Sequence, residues 1–226
     1  TSSFHVVDVS KEDEVAAFAQ EVRTRHADVD CLICNAGLGG AGKPAWEIPA
    51  EHIHKIVDVS LKGVMFTNNH IVPMMLQGIT EKSPEDAPVK RVINISSGVG
   101  HTSNPYAADY CAVKFAVEGY SKCVAQGFKE AVKFVPHWRD RIICVPFAPG
   151  VVRTEMNRNP AIPTTDVWCK EAAPYILQIP ASESGSSITM PGYYGEDYQA
   201  TWVVPDGARM NSTWMLPMPP KSKLSQ

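Results

Sequence analysis

Tyr110 and Lys114 stand four residues apart, and Ser97 precedes them at the end of an apolar run, Arg91-Val92-Ile93-Asn94-Ile95. On a helix the tyrosine and the lysine share one face, a turn apart. An ammonium a few ångströms from a phenol favours phenolate, so the Tyr110 pKa is expected to fall from its usual value near 10. A phenol tuned in this way can donate a proton to a developing alkoxide. The apolar run reads as a buried strand. A hydroxyl leaving its carboxyl end sits at the rim where open α/β sheets place their ligands. A Tyr-x-x-x-Lys taken alone is more often a plain surface pair on a helix. The serine ahead of it and the motifs around it favour the chemical reading.

The elements that must carry these residues follow from pattern. Phe4 to Val9 is a short apolar run, and Ser10 is placed to cap a helix in which Val15, Phe18, Ala19 and Val22 recur at helical spacing. Val29 to Ala36 reads as the next buried strand, followed by the flexible turn Gly37-Leu38-Gly39-Gly40. Ala50 to Gln77 carries a long helical pattern, with Ile53, Ile56, Val57, Leu61, Val64 and Met65 on one side. Gly78 to Lys90 reads as a surface loop. Arg141 to Phe147 is a further strand, Asp166 to Leu177 a short helix, and Gly185 to Met190 the last strand, with Trp202-Val203-Val204 competing for that place.

Composition removes several classes of function. A chain of 226 residues, 44% apolar and 20% charged, suits one globular domain with a substantial core. A net charge of −3 gives no basic footprint for nucleic acid. No apolar run reaches the length of a membrane span. Cys31 and Cys34 form a Cys-x-x-Cys, but residues three apart on a strand point to opposite faces, and no second pair completes a zinc site. At this length the six cysteines are not needed as staples. Asn94-Ile95-Ser96 and Asn211-Ser212-Thr213 match the glycosylation pattern, yet nothing else signals secretion. A cytoplasmic location is expected.

The arrangement of Ser97, Tyr110 and Lys114 resembles the active site of the short-chain dehydrogenase/reductase family. Further motifs agree in the family's order. Asn35-Ala36-Gly37 looks like the family's Asn-Ala-Gly, and Pro149-Gly150-Val151-Val152-Arg153-Thr154 like its Pro-Gly-x-Val-x-Thr stretch. Asp8-Val9 is similar to the family's acidic residue after the third strand that meets the adenine ring, and the resemblance reads Phe4 to Val9 as that strand. The resemblance implies a Rossmann-like, doubly wound parallel sheet with helices on both faces. It also implies a Gly-rich pyrophosphate turn. Gly37-Leu38-Gly39-Gly40 is the only candidate for that turn, and it follows the wrong strand. The fold expected of this chain therefore lacks the family's first two strand–helix units. A single truncated domain over residues 1–204 and a loose proline-rich tail over 205–226 are expected.

By the same resemblance the function is hydride transfer between a nicotinamide cofactor and a small aldehyde, ketone or alcohol. Ser97 and Tyr110 would hold the substrate oxygen. Lys114 would bind the nicotinamide ribose, and Thr154 its carboxamide. Asp8, Val9, Asn35, Ala36, Gly37, Tyr110, Lys114, Pro149, Gly150, Val152 and Thr154 form the expected cofactor set. Ser60 stands where the family has an Asn that holds a water beside the lysine. Ser96-Ser97-Gly98, Tyr110-Cys111-Ala112-Val113-Lys114 with Glu118-Gly119, and Ser186-Ser187-Ile188-Thr189 look most like the plant-type pterin aldehyde reductases. NADP is thus favoured, with NAD possible. A small-molecule substrate and a homo-oligomer, dimer or tetramer, are implied, with no nucleic acid and no membrane as partner. The rival reading is a non-catalytic binding or regulatory protein of the same fold, or an inactive fragment.

Overall fold

A computed structural model of the protein describes residues 2–81, 88–160 and 162–190. Its centre is a sheet of four parallel strands, β1 (Cys31–Cys34), β2 (Lys90–Ile95), β3 (Ile142–Ala148) and β4 (Ile188–Thr189), in the spatial order β1-β2-β3-β4. Parallel neighbours require crossovers, and helices supply them. α1 (Glu12–Arg25) precedes β1. α2 (Ala50–Val57) and α3 (Gly63–Glu81) join β1 to β2, α4 (Ala108–Ala131) joins β2 to β3, and α5 (Thr165–Gln178) joins β3 to β4. The fold is the expected Rossmann-like α/β architecture.

Alternation along the strands sorts the core into two layers. Val92, Ile142 and Cys144 face a cluster with Ala19 of α1, Met75 of α3 and Phe128 of α4. Ile93, Ile143, Val145 and Phe147 point the other way, onto Ala172 and Ile176 of α5. All seven residues of β3 are buried, as a strand covered on both faces requires. Beneath the carboxyl edge, Asn94 of β2 accepts from Asn68 Nδ2 of α3 at 2.9 Å and donates to Ser121 Oγ of α4 at 3.0 Å. This buried amide chain fastens both helices to the central strand, which also accounts for a polar residue in an apolar strand.

Several local expectations are corrected. Phe4 to Val9 forms no strand: it runs extended without a ladder partner among the described residues, and Phe4 and Val6 are exposed. A strand exists only against a neighbour, and the nearest one, β1, pairs on one side only, with β2. Ser10 does not cap α1; its hydroxyl donates to Asp8 Oδ1 at 2.6 Å, while Glu14 reaches back to the Asp8 amide. The Val29–Ala36 strand shrinks to four residues at the sheet edge, where Ile33 is 47% exposed. Cys31 and Cys34 do face opposite layers.

Gly78 to Lys90 is not all loop. α3 continues to Glu81, and Lys90 opens β2 fully buried, with its ammonium on Asp28 and on Val29 O. A Cβ at Gly78 would fall 2.1 Å from Asp28 Oδ1, so the absent side chain is what lets that carboxylate press against α3. The alternative last strand at Trp202-Val203-Val204, the tail over 205–226 and the Asn211 motif lie outside the described residues, whereas Gly185–Met190 does supply β4.

Candidate active site

Because every strand is parallel, the segments after β1, β2 and β3 leave the sheet at one edge. Those segments are Asn35-Ala36-Gly37, Ser96-Ser97 and Pro149-Gly150, so three separate motifs meet at the carboxyl rim. Ser97 caps a short 3₁₀ turn, Gly98–Gly100, accepting from the Val99 amide. Its hydroxyl also lies near enough to the Tyr110 phenol to favour the phenolate. α4 sets Tyr110 and Lys114 on one face, with Lys114 Nζ 5.5 Å from the centre of the tyrosine ring. The ammonium donates to Ile95 O, the last carbonyl of β2, at 2.7 Å.

Ser60 joins this group from a different element. The long helical pattern is continuous in space but carries a π-helical turn at Asp58–Lys62, and Ser60 lies buried within it. Such a turn inserts one extra residue and re-aims the side chains around it. Here Ser60 Oγ accepts from the Leu38 amide at 2.9 Å, holding the loop after β1. A Cβ on Gly37 would lie 3.5 Å from Ser60 Oγ and 3.8 Å from Lys114 Nζ. Serine, lysine and the Asn-Ala-Gly loop thus share one small volume.

The electrostatics depart from expectation at the tyrosine. Burial pushes the Tyr110 phenol up, and the nearby Ser97 hydroxyl offsets this only in part. The expected fall does not occur because the phenol is desolvated while the lysine's ammonium is engaged by a backbone carbonyl. The larger shift belongs to Lys114, which burial lowers to about 8 although the negative charge of Glu118 opposes it.

Other residues fall into place unevenly. Asn35, Ala36 and Thr154 are exposed at the rim. Gly150 takes φ +78, a conformation that favours glycine, and Trp168 Nε1 donates to Pro149 O at 2.8 Å, tying this turn to α5. Arg153 bridges to Thr164 and so closes the loop between them, which includes Thr154 and Met156, while Val152 stands half-buried just before it. Met156 packs against Gly39 across the rim. Asp8 is not gathered into this group: it bonds Ser10 and lies near Lys11. Val9 instead packs on the start of α3, where a Cβ at Gly63 would come within 2.8 Å of Val9 Cγ2.

Two buried carboxylates on α4 were given no role by the sequence: Asp109, and Glu118, which entered only as part of a resemblance motif. Asp109 Oδ2 accepts from the Ala41 amide at 3.0 Å and lies 3.0 Å from His52 Nε2, holding the loop after β1 against the start of α4. Glu118 accepts from Ser187 Oγ at 2.6 Å and lies 3.0 Å from His101 Nε2. Burial would raise the Glu118 carboxyl, but the His101 and Ser187 contacts outweigh it and hold the group below its usual range. The available signal was spacing, since Glu118 follows Lys114 by four and shares its face.

The model of the family described as short chain dehydrogenase matches residues 2–162. The chain belongs to that family. Among curated relatives, the NADPH-dependent pterin aldehyde reductase of Arabidopsis thaliana is 31% identical over 192 residues, covering 81% of this chain and 70% of that protein. The 2-dehydro-3-deoxy-L-rhamnonate dehydrogenase (NAD(+)) of a Sphingomonas species is 36% identical over 124 residues, 54% of this chain and 46% of that protein, so this chain spans less than half of that relative. Among solved structures, the E. coli oxidoreductase yciK covers 84% of this chain and 73% of its own at TM-score 0.67 and 18% identity. ElxO with NADP bound covers 83% and 75% at TM-score 0.66 and 21% identity. Both share the fold of this short-chain dehydrogenase. Its curated relatives are named as NADPH- and NAD-dependent alike, so the family carries both cofactor preferences. Among the described residues no helix is long and apolar enough to cross a membrane.

Proposed function

We propose that this short-chain dehydrogenase reduces a small aldehyde or ketone with NADPH, using Ser97, Tyr110 and Lys114. The observation that carries the reading is the convergence of these three at the carboxyl rim: the Lys114 ammonium 5.5 Å from the Tyr110 ring centre, with the Ser97 hydroxyl near the phenol. The Tyr110 phenol is protonated at neutral pH and so holds the proton to be donated, although burial makes it a weaker acid than a pKa near working pH would give. Ser97 and Tyr110 would hold the substrate oxygen, and Tyr110 would release its proton to it. Lys114 would stabilise the charge left on the phenol. Ser60 would keep the loop after β1 against Lys114.

The rim suits a nicotinamide dinucleotide on its donor set. An ammonium has three donors. The Lys114 bond to Ile95 O uses one of them, leaving the others for ribose hydroxyls. Asn35, Ala36 and Gly37 would line one side of the cofactor. Pro149, Gly150, Val152 and Thr154 would line the other, with Asp8 and Val9 toward the adenine. When bound, the nicotinamide supplies the hydride. The preference for NADPH and for aldehydes of the pterin type is supported by the Arabidopsis relative alone. A homo-oligomer belongs to the same proposal by resemblance to the family, in which the helix in the place of α4 often forms a subunit interface.

The test is Tyr110→Phe in the full-length protein, with NADPH oxidation followed against a panel of aromatic and pterin-like aldehydes. General acid catalysis is worth roughly 10²–10⁴-fold, so turnover should fall by about 100-fold or more with cofactor affinity unchanged. Wild-type turnover in the variant would make the non-catalytic reading the better one.

A further inference from the structure

The face of α4 that carries Tyr110 and Lys114 continues to a third ionisable residue, Glu118, which the proposed mechanism does not use. Its side chain is 5% exposed, and three elements converge on it. From the turn after β2 comes His101, with Nε2 at 3.0 Å. From the segment entering β4 comes Ser187, donating at 2.6 Å. Lys114 stands one turn back along α4 itself. The turn is brought close by a glycine: a Cβ at Gly100 would lie 3.1 Å from Glu118 Cγ and 2.9 Å from Ser96 Oγ. A buried carboxylate is retained only where partners and charge compensate it, and these partners belong to the segments that set Ser97 and Lys114.

We propose that Glu118 is a positioning residue of the candidate site: its carboxylate fastens the Ser97–His101 turn and the entry to β4 onto the catalytic face of α4, and supplies the counter-charge of Lys114. The inference rests on the reading of Ser97, Tyr110 and Lys114 as the catalytic group. Among the described residues, His101 and Lys114 are the ionisable groups that face Glu118, with Ser187 as its uncharged donor. Glu118→Gln keeps the shape and removes the charge. Lys114 then loses the influence that opposes its desolvation, so it should release its proton at lower pH than in the wild type. The turn loses a charge-assisted contact, so its local opening should increase.

Two measurements without substrate or cofactor test this on the full chain. The first follows the Cε resonance of Lys114 by NMR in ¹³C-lysine protein across pH, assigned through its loss in Lys114→Arg. The midpoint should move to lower pH in Glu118→Gln, and an unmoved or higher midpoint overturns the proposal. The second follows amide hydrogen exchange over residues 98–101 by mass spectrometry. Exchange should quicken by roughly tenfold or more in Glu118→Gln and in His101→Gln, with α1 unchanged. His101 is partly exposed, so its variant tests the fastening even if Glu118→Gln does not fold. Equal exchange in wild type and His101→Gln overturns the fastening. Because neither readout involves turnover, a failure here is distinct from a failure of Tyr110→Phe to lose activity.

Discussion

Lys114→Met should convert the buried charge into a pH-dependent stability difference. Burial lowers Lys114 from its ordinary 10.5 to about 8, even with Glu118 opposing that fall. The folded pKa is therefore the lower of the two, and between pH 8 and 10.5 the unfolded chain binds more protons. Stability must rise with pH across that window as far as this group is concerned. At about 1.36 kcal/mol per pH unit the full effect is about 3 kcal/mol. Below pH 8 the wild type carries the whole penalty of the buried ammonium. The methionine variant is free of it but leaves Ile95 O without its 2.7 Å donor, a loss of about 1–3 kcal/mol. The two effects nearly cancel at pH 7, so the absolute difference there says little. The slope is what identifies the cause. Urea unfolding of both proteins from pH 7 to 10 should show the advantage of the variant over the wild type shrinking by about 2–3 kcal/mol. A difference that stays flat over that range would refute the desolvation argument.

The other expectations concern packing around the site. Gly78→Ala places a methyl group on a carboxylate that Lys90 already holds, and should destabilise by about 1–3 kcal/mol in urea unfolding. An unchanged midpoint would mean that Asp28 can swing aside. Ser60→Ala removes the acceptor of the Leu38 amide and should lower stability by about 1–3 kcal/mol, with faster amide exchange confined to the loop after β1. Exchange spread over the whole chain would contradict a local role.

The parts of the fold that could be read from sequence are those in which a pattern repeats. The β2 and β3 runs, the α1 spacing and the long pattern from Ala50 each state their period several times over, and each formed. The parts that misled were decided by neighbours. Phe4 to Val9 has strand composition but no partner strand among the described residues, and Lys90 looked like a loop cation until Asp28 was brought to it across 62 positions. The tyrosine failed for a related reason. Spacing put Lys114 beside Tyr110 correctly, but the sign of the pKa change depends on how much water the fold removes, and no spacing reports that.

Ser60 shows how far a single substitution can be followed. As a letter it marks a departure from the family's Asn, which reads as a weakened site. In space it sits in a π-helical turn, fully buried, with its oxygen already committed to the Leu38 amide. An asparagine there would need room beside Gly37 and Lys114, where a Cβ on Gly37 would already stand 3.5 Å from the serine oxygen. Restoring the family residue therefore changes the packing as well as the hydrogen bonding. The serine, the π-turn and the glycine loop form one arrangement beside Lys114, whose charge the carboxylate of Glu118 favours. A site assembled this way keeps an ammonium in a poorly solvated place, and the stability lost there is the property that the pH series on Lys114→Met measures.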